Sequence, residues 1–129
     1  MLHVSCFVLH MNISLDTTEL KKVRIRIDDG KKVRRAKFAI YADAALSRLD
    51  KILGGRKLET IGAVAGPGAF SATRTGVALA NALAYGFGIP VIALSKAQFD
   101  SDDTLPPGVK PPIAVRYGMP PNITKKKIV

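Results

Sequence analysis

Two short segments of the sequence carry residue types that could hold a phosphate or a metal-bound nucleotide. Gly66-Pro67-Gly68 separates a predicted strand from a predicted helix, and such a turn presents backbone N–H groups and the positive end of the helix dipole to an anion. Asp16 and Thr17 end an apolar run, and a carboxylate beside hydroxyl groups suits hydrated Mg²⁺. These segments predict an anion or nucleotide site at Asp16, Thr17, Gly66 and Gly68, although each is also typical of an ordinary turn.

Residues suited to nucleophilic or metal catalysis are few and lie at the N-terminus. His3 and His10 are the two histidines, and Cys6 is the single cysteine. The well-patterned part of the sequence contains no His-x-x-x-His or Cys-His arrangement, so neither a catalytic triad nor a metal site is predicted there. The sequence therefore argues against an enzyme that works alone.

The elements that must position these residues begin with three strands and a helix. An apolar run over 12–16 predicts the first strand, and two alternating segments that meet at Asp29-Gly30 predict a β-hairpin. Apolar residues at helical spacing predict a helix over 42–53, which Gly54-Gly55 ends.

The second half of the pattern alternates strands and helices. A strand is predicted over 61–65, then a helix from an N-cap at Ser71 to about Tyr85, then a strand over 91–94. Strands joined first by tight turns and later by helices predict one α/β lobe, in which helices pack on a mixed five-stranded sheet.

The chain divides into three predicted parts. Residues 1–11 are interpreted as an extension, because Met11 opens a run that looks like a natural start, and residues 12–99 form the lobe. Residues 100–129 are a basic tail, whose six prolines exclude a helix or a central strand, so we expect it to lie on the lobe or to be mobile.

The composition indicates a single globular domain, and its charge suggests nucleic acid, an acidic membrane or another acidic partner. The chain has 129 residues, 47% of them hydrophobic, and 20 Lys and Arg against 10 Asp and Glu give a net charge of +10. A lone cysteine and the lack of a signal-peptide pattern favour the cytoplasm, and no apolar run is long enough to span a membrane.

Basic residues concentrate in two places. Nine of the twenty lie between Lys21 and Lys37, where Arg24 and Arg26 alternate with apolar residues, and Lys125 and Lys126 belong to a basic run in the tail. Such a face could contact the phosphates of tRNA, or it could protect a sheet edge from aggregation.

The second predicted helix carries a stripe of small residues. Ala72, Gly76, Ala80 and Ala84 recur every four residues, beside Leu79 and Leu83. Small residues let another backbone approach closely, which fits packing on the chain's own sheet. The helix is nevertheless apolar on more than one face, which favours a partner helix.

The segment 60–95 resembles the TsaB (YeaZ) family of tRNA threonylcarbamoyladenosine biosynthesis proteins. The family signature Gly-Pro-Gly-Ser-Phe-Thr-Gly-x-Arg-x-Gly is matched from Gly66 to Gly76. Ala69 stands in place of its Ser, and Ala72 stands in place of the Gly that follows its Thr. Asp16-Thr17-Thr18 is similar to the family's Asp-Thr-Ser/Thr. The resemblance implies an actin-like, ribonuclease-H-like lobe, in a short form that lacks the second lobe of the family.

The resemblance also implies a function. Members are inactive relatives of the TsaD subunit and pair with it through helices. With the ATPase TsaE, that pair transfers threonylcarbamoyl to the tRNA adenine 3′ of the anticodon. ATP and metal are then expected on the partner subunits and no cofactor on this chain. The expected partner-binding residues lie on both helices: Leu46, Leu49, Leu53, Ala72, Gly76, Leu79, Ala80 and Leu83.

Three alternatives stay open at this point. The chain could form a homodimer when alone, bind nucleotide as an autonomous actin-like enzyme, or act as a free-standing RNA-binding module. The absence of aromatic residues among the basic strands argues against base stacking in the last case.

Overall fold

A computed structural model describes residues 10–116, which form a five-stranded sheet with helices on both faces. The elements are β1 (His10–Glu19), β2 (Lys22–Asp28), β3 (Val33–Phe38), a 3₁₀ turn (Ala42–Ala44), α1 (Ala45–Leu53), β4 (Lys57–Val64), α2 (Phe70–Phe87), β5 (Val91–Leu94) and α3 (Lys96–Asp100).

The strands lie in the order β3-β2-β1-β4-β5. The word edge is used here for each of the two opposite sides of the sheet at which strands begin or end. The first three strands are antiparallel, whereas β1, β4 and β5 run parallel. The starts of β1, β4 and β5 therefore lie with the β2–β3 turn along one edge, called here the amino edge. The ends of the same strands form the opposite carboxyl edge. The predicted α/β lobe with a mixed five-stranded sheet is confirmed.

Helix α2 packs on β1 and β4 through its stripe of small residues. Ala80 is fully buried, and a Cβ placed on Gly76 would lie 2.1 Å from Oγ1 of Thr17 in β1. The Thr17 hydroxyl donates a 2.8 Å hydrogen bond to the carbonyl of Ala72. The stripe thus faces the chain's own sheet, which corrects the assignment of Ala72, Gly76 and Ala80 to a partner surface, because buried residues cannot contact a partner directly.

Several element boundaries differ from the sequence prediction. β1 begins at His10, two residues earlier than predicted, because Met11 is fully buried in the core and pairs with β4. Ser71 is not an N-cap: α2 begins at Phe70 after Ala69, whose N–H donates 2.7 Å to the carbonyl of Thr18. The carbonyl of the neighbouring strand therefore satisfies the N–H of the N-cap residue, and no side chain caps this helix start.

Helix α3 was not predicted, although its sequence carries a start signal. Ser95 and Gln98 form a capping box, in which each side chain bonds the other residue's backbone N–H. The helix buries Phe99 completely against β5, so the folded lobe extends to the point where the tail was expected to begin.

Residues 101–116 run over the lobe and contribute one isolated bridge, between Val109 and Val91. The Asn81 side chain bonds both backbone groups of Ile113, and the N–H of Arg116 donates to the carbonyl of Ala65 at 2.6 Å. Residues 1–9 of the predicted extension (1–11) and residues 117–129 of the predicted tail (100–129) lie outside the described residues, whereas residues 10 and 11 belong to β1. Within residues 10–116, no helix is long and apolar enough to cross a membrane.

Candidate functional site

The carboxyl edge brings the two predicted anion-binding segments together. Asp16 and Thr17 lie near the end of β1, and the Gly66–Gly68 turn follows the adjacent parallel strand β4. A Cβ on Gly68 would lie 2.4 Å from the Cβ of Thr18, so the turn packs directly on β1. The predicted proximity is present in the fold, and the contacts of each group decide what the site can hold.

Both carboxylate oxygens of Asp16 are already engaged by groups of this chain. Oδ1 accepts hydrogen bonds from the backbone N–H of Thr18 at 3.0 Å and from its hydroxyl at 2.6 Å. Oδ2 accepts a bidentate pair from Arg24, through Nε at 3.1 Å and Nη2 at 2.5 Å. Lys96 Nζ lies 3.8 Å from Oδ2 and donates to the Thr18 hydroxyl at 3.0 Å.

These contacts keep Asp16 ionised although it is only 3% exposed. Burial by itself would raise the pKa of this carboxyl, but hydrogen bonds from Thr18 and Arg24 and the charge of Lys96 outweigh burial and lower it. The two cations compensate the single negative charge of Asp16, so the arrangement is a buried ion-pair cluster that leaves little free coordinating capacity for a cation.

The Gly-rich turn is occupied by neighbouring backbone. Gly66 has φ of +122°, and a Cβ there would lie 2.2 Å from the carbonyl oxygen of Arg116 in the tail. A phosphate cradle needs backbone N–H groups that face open space. Here the two glycines serve close approach instead, Gly66 to the tail and Gly68 to Thr18.

The predicted tRNA-facing arginines point into the protein. Arg24 is 20% exposed, bridges Asp16 and Asp100, and stacks its guanidinium 4.8 Å from the centre of the Phe99 ring. Arg26 is 1% exposed, and its Nη2 donates to the carbonyls of Ser101 and Asp103 at 3.2 and 3.0 Å. The expected exposed charged face of β2 is therefore wrong, because α3 and the segment after it cover that face.

The covering segment carries the acidic groups that neutralise this arginine face. Arg35 of β3 donates to the carbonyls of Phe99 and Ser101 and pairs with Asp102 at 3.1 Å. Burial lowers the pKa of Arg26, and the nearby positive charge of Arg35 acts in the same direction, while Asp28 opposes both. Arg24, Arg26 and Arg35 thus hold the end of α3 on the sheet. Lys125 and Lys126, the other predicted tRNA contacts, lie outside residues 10–116.

An exposed apolar surface spans the two helices, and it is called here the apolar helix face. It consists of Leu46 and Leu53 of α1 with Leu79, Leu83 and Phe87 of α2. Leu46 is 50% and Phe87 57% exposed, and both line a small cleft of about 70 Å³ between the helices. Leu49 is only 2% exposed and forms the floor of this cleft.

Phe87 and Lys96 are among the residues of these sites that sequence analysis missed. Phe87 follows Leu79 and Leu83 at helical spacing, so the i, i+4, i+8 pattern could have revealed it. Lys96 lies eighty residues from Asp16 and carries no local signal of their contact. In the part of the chain that the structure describes, no group of three His, Cys, Asp or Glu side chains is placed to bind a metal ion.

Comparisons with known proteins assign the fold and the family. Two solved structures from Pseudomonas aeruginosa, "YeaZ" and an "uncharacterized protein with similarity to peptidase YEAZ", each superpose with a TM-score of 0.59 at 22% identity. Each alignment covers 67% of this chain and 44% of the solved one, so the chain spans less than half the length of these proteins. Curated protein sequences gave no match.

The family match covers the region that contains α1, β4, α2, β5 and α3. Residues 38–115 match the family described as "TsaD: tRNA N6-adenosine threonylcarbamoyltransferase". This match spans more than half of the chain. The superposition on the two YeaZ-type structures shows the fold of the lobe. The chain therefore belongs to the TsaD family, with a lobe folded like that of YeaZ.

Proposed function

We propose that the chain is a non-catalytic subunit of a cytoplasmic tRNA-modifying assembly. In this proposal it docks on a TsaD-type subunit, which transfers threonylcarbamoyl to the adenine 3′ of the anticodon with help from a TsaE-type ATPase. The family match and the YeaZ-like fold support a place in this modification. The docking role rests on one observation, the apolar helix face.

The apolar helix face has the composition of a docking surface. Two of its side chains, Leu46 and Phe87, are at least half exposed, and three partly buried leucines continue the surface between and beside them. Exposed apolar residues scattered singly need no explanation, but a contiguous set across two helices marks an interaction site. The cleft between α1 and α2 offers a socket for an apolar side chain of a partner helix.

The carboxyl edge supports a role without catalysis by this chain. Asp16 is neutralised by Arg24 and Lys96, and the Thr17 hydroxyl is bonded to α2. A nucleotide would have to displace these internal contacts before it could use either group. Isothermal calorimetry of the chain with Mg-ATP tests this point, and we expect no heat of binding. Micromolar binding would favour the alternative of an autonomous nucleotide-binding enzyme.

The docking proposal is tested by size-exclusion chromatography with light scattering. The chain is mixed with the TsaD homologue of the same cell, and we expect a one-to-one complex. The double variant Leu46→Asp, Phe87→Asp should elute as separate components, because two charges would be buried in an apolar interface.

Leu20→Asp provides the matched control. Leu20 is 56% exposed, close to the values for Leu46 and Phe87, but it lies in the β1–β2 turn at the carboxyl edge. This variant should pair like the natural chain. Docking through the apolar helix face is refuted if the double variant pairs normally, and the partner assignment is refuted if the natural chain forms no complex. A dimer of the chain alone that the double variant abolishes would assign the face to self-association instead.

A further inference from the structure

Tertiary structure gathers lysines from four separate segments along the amino edge. Lys31 and Lys32 form the β2–β3 turn, Lys51 lies in the last turn of α1, Lys57 begins β4, and Lys110 follows the bridge between Val109 and Val91. The register places these segments side by side, because Asn12 pairs with Asp28, His10 with Lys57, and Ile61 with Val91. This set of five lysines is called here the basic edge.

The basic edge differs electrostatically from the arginine face. All five of its lysines are exposed, and none of them forms an ion pair within residues 10–116. By contrast, Arg24, Arg26 and Arg35 each have a carboxylate within 4 Å. The basic edge therefore carries positive charge without internal partners, whereas the charge of the arginine face is neutralised within the lobe.

Carboxylates of the same segments offset only part of this charge, because Asp29, Asp50 and Glu59 stand against the five lysines and Arg56. Asp29 accepts hydrogen bonds from the backbone N–H groups of Lys31 and Lys32 at 2.9 and 3.1 Å, and Asp50 and Glu59 are the other acidic residues nearby in sequence. Asp28 forms an ion pair with Arg26, with Oδ2 3.9 Å from Nη1. Arg56 adds a further cation at the α1–β4 connection, where its guanidinium caps the carbonyls of Ile52 and Leu53.

The spacing of the basic edge fits a repeating anion. Four strand intervals separate β3 from β5, which is about 19 Å at the usual distance between strands. A nucleic-acid strand carries phosphates at regular intervals along its backbone, so each of the five lysines of this row could contact one phosphate. We propose that the basic edge binds the phosphate backbone of RNA. This inference is independent of docking through the apolar helix face.

The test is binding of unmodified tRNA to the full chain alone, measured by fluorescence anisotropy over a range of salt concentrations. Five phosphate contacts predict that the logarithm of affinity falls with the logarithm of salt concentration with a slope of about −4. The variant Lys31→Gln, Lys32→Gln, Lys57→Gln should weaken binding and reduce the steepness of that slope by about two to three.

A control variant removes the same charge elsewhere. Lys21→Gln, Lys37→Gln, Arg74→Gln changes three exposed cations that lie toward the carboxyl edge. It should retain the slope and affinity of the natural chain, and both variants should keep its unfolding midpoint in urea. Equal losses in the two variants would mean that only net charge matters and would overturn the proposal. The proposal also fails if the natural chain binds no tRNA, or if it binds anionic phospholipid vesicles in preference to tRNA.

Discussion

Replacement of two glycines in the same helix tests the orientation of α2. Gly76 and Gly86 both lie within Phe70–Phe87, but a Cβ on Gly76 would meet Thr17 Oγ1 at 2.1 Å, whereas a Cβ on Gly86 would meet nothing within 4 Å. Gly86→Ala should therefore stabilise the chain by up to about 1 kcal/mol, because alanine loses less conformational freedom than glycine in a helix.

The Gly76→Ala variant gains the same helix propensity but must move a buried, hydrogen-bonded side chain. Overpacking in a dense core costs about 1–3 kcal/mol, and the Thr17 hydroxyl that must shift holds the Ala72 carbonyl. The 2.1 Å approach places the cost at the upper end of that range, and subtracting a helix-propensity gain of about 1 kcal/mol leaves a net loss of about 2 kcal/mol. With a slope of about 2 kcal/mol per molar urea, the unfolding midpoint should fall by about 1 M.

The assay is urea unfolding followed by circular dichroism at 222 nm on the natural chain and both variants. Thr17→Ala serves as a second perturbation: it loses a hydrogen bond worth about 1 kcal/mol in the natural background, but should cost less beside Ala at 76, since it removes the clashing atoms. The inward orientation of the small-residue stripe is refuted if Gly76→Ala is as stable as Gly86→Ala.

Two further predictions concern the ion-pair cluster and α3. Asp16→Asn should lower the free energy of unfolding at pH 7 by about 3 kcal/mol, the low end for a broken buried pair, because Arg24 keeps Asp100 as a partner. The Asp16 pKa is lowered from 3.8, so its stabilising charge is present above that pH and is lost as pH falls through the folded value. Urea midpoints of the two proteins should then converge at low pH, and parallel pH profiles would contradict the cluster. Ser95→Ala should cost about 1 kcal/mol by removing the capping box, whereas Ser71→Ala should leave the midpoint unchanged. Equal effects of the two serine variants would contradict the observed helix starts.

Short-range patterns in the sequence were sufficient for the fold. The alternation on either side of Asp29-Gly30 predicts a hairpin, and the structure has β2 and β3 paired there. Helical spacing and glycine stops predict α1 and α2, whose C-caps are Gly54 and Gly88 in the left-handed conformation. These features depend on residues close together in the chain, so the sequence contains them directly.

The candidate sites were less predictable because their contacts join distant segments. The sequence predicts Asp16 in an anion or nucleotide site or in an ordinary turn, whereas its partners in the fold, Arg24 and Lys96, are eight and eighty residues away. Arg26 was expected on an exposed face, since alternation in β2 cannot show that residues 99–103 cover the opposite side of the sheet. A covering segment is visible only once the chain has folded.

The sequence by itself determined the α/β lobe, the order of a hairpin followed by helical crossovers along the chain, and the match of residues 38–115 to a tRNA-modification family. Only the tertiary structure decided which face of α2 is buried, because small residues fit a sheet as well as a partner helix. It also decided which cations lie side by side, because Lys31, Lys57 and Lys110 become neighbours only through strand pairing. Burial and charge pairing are properties of positions in space, and neighbours in space are set by long-range contacts.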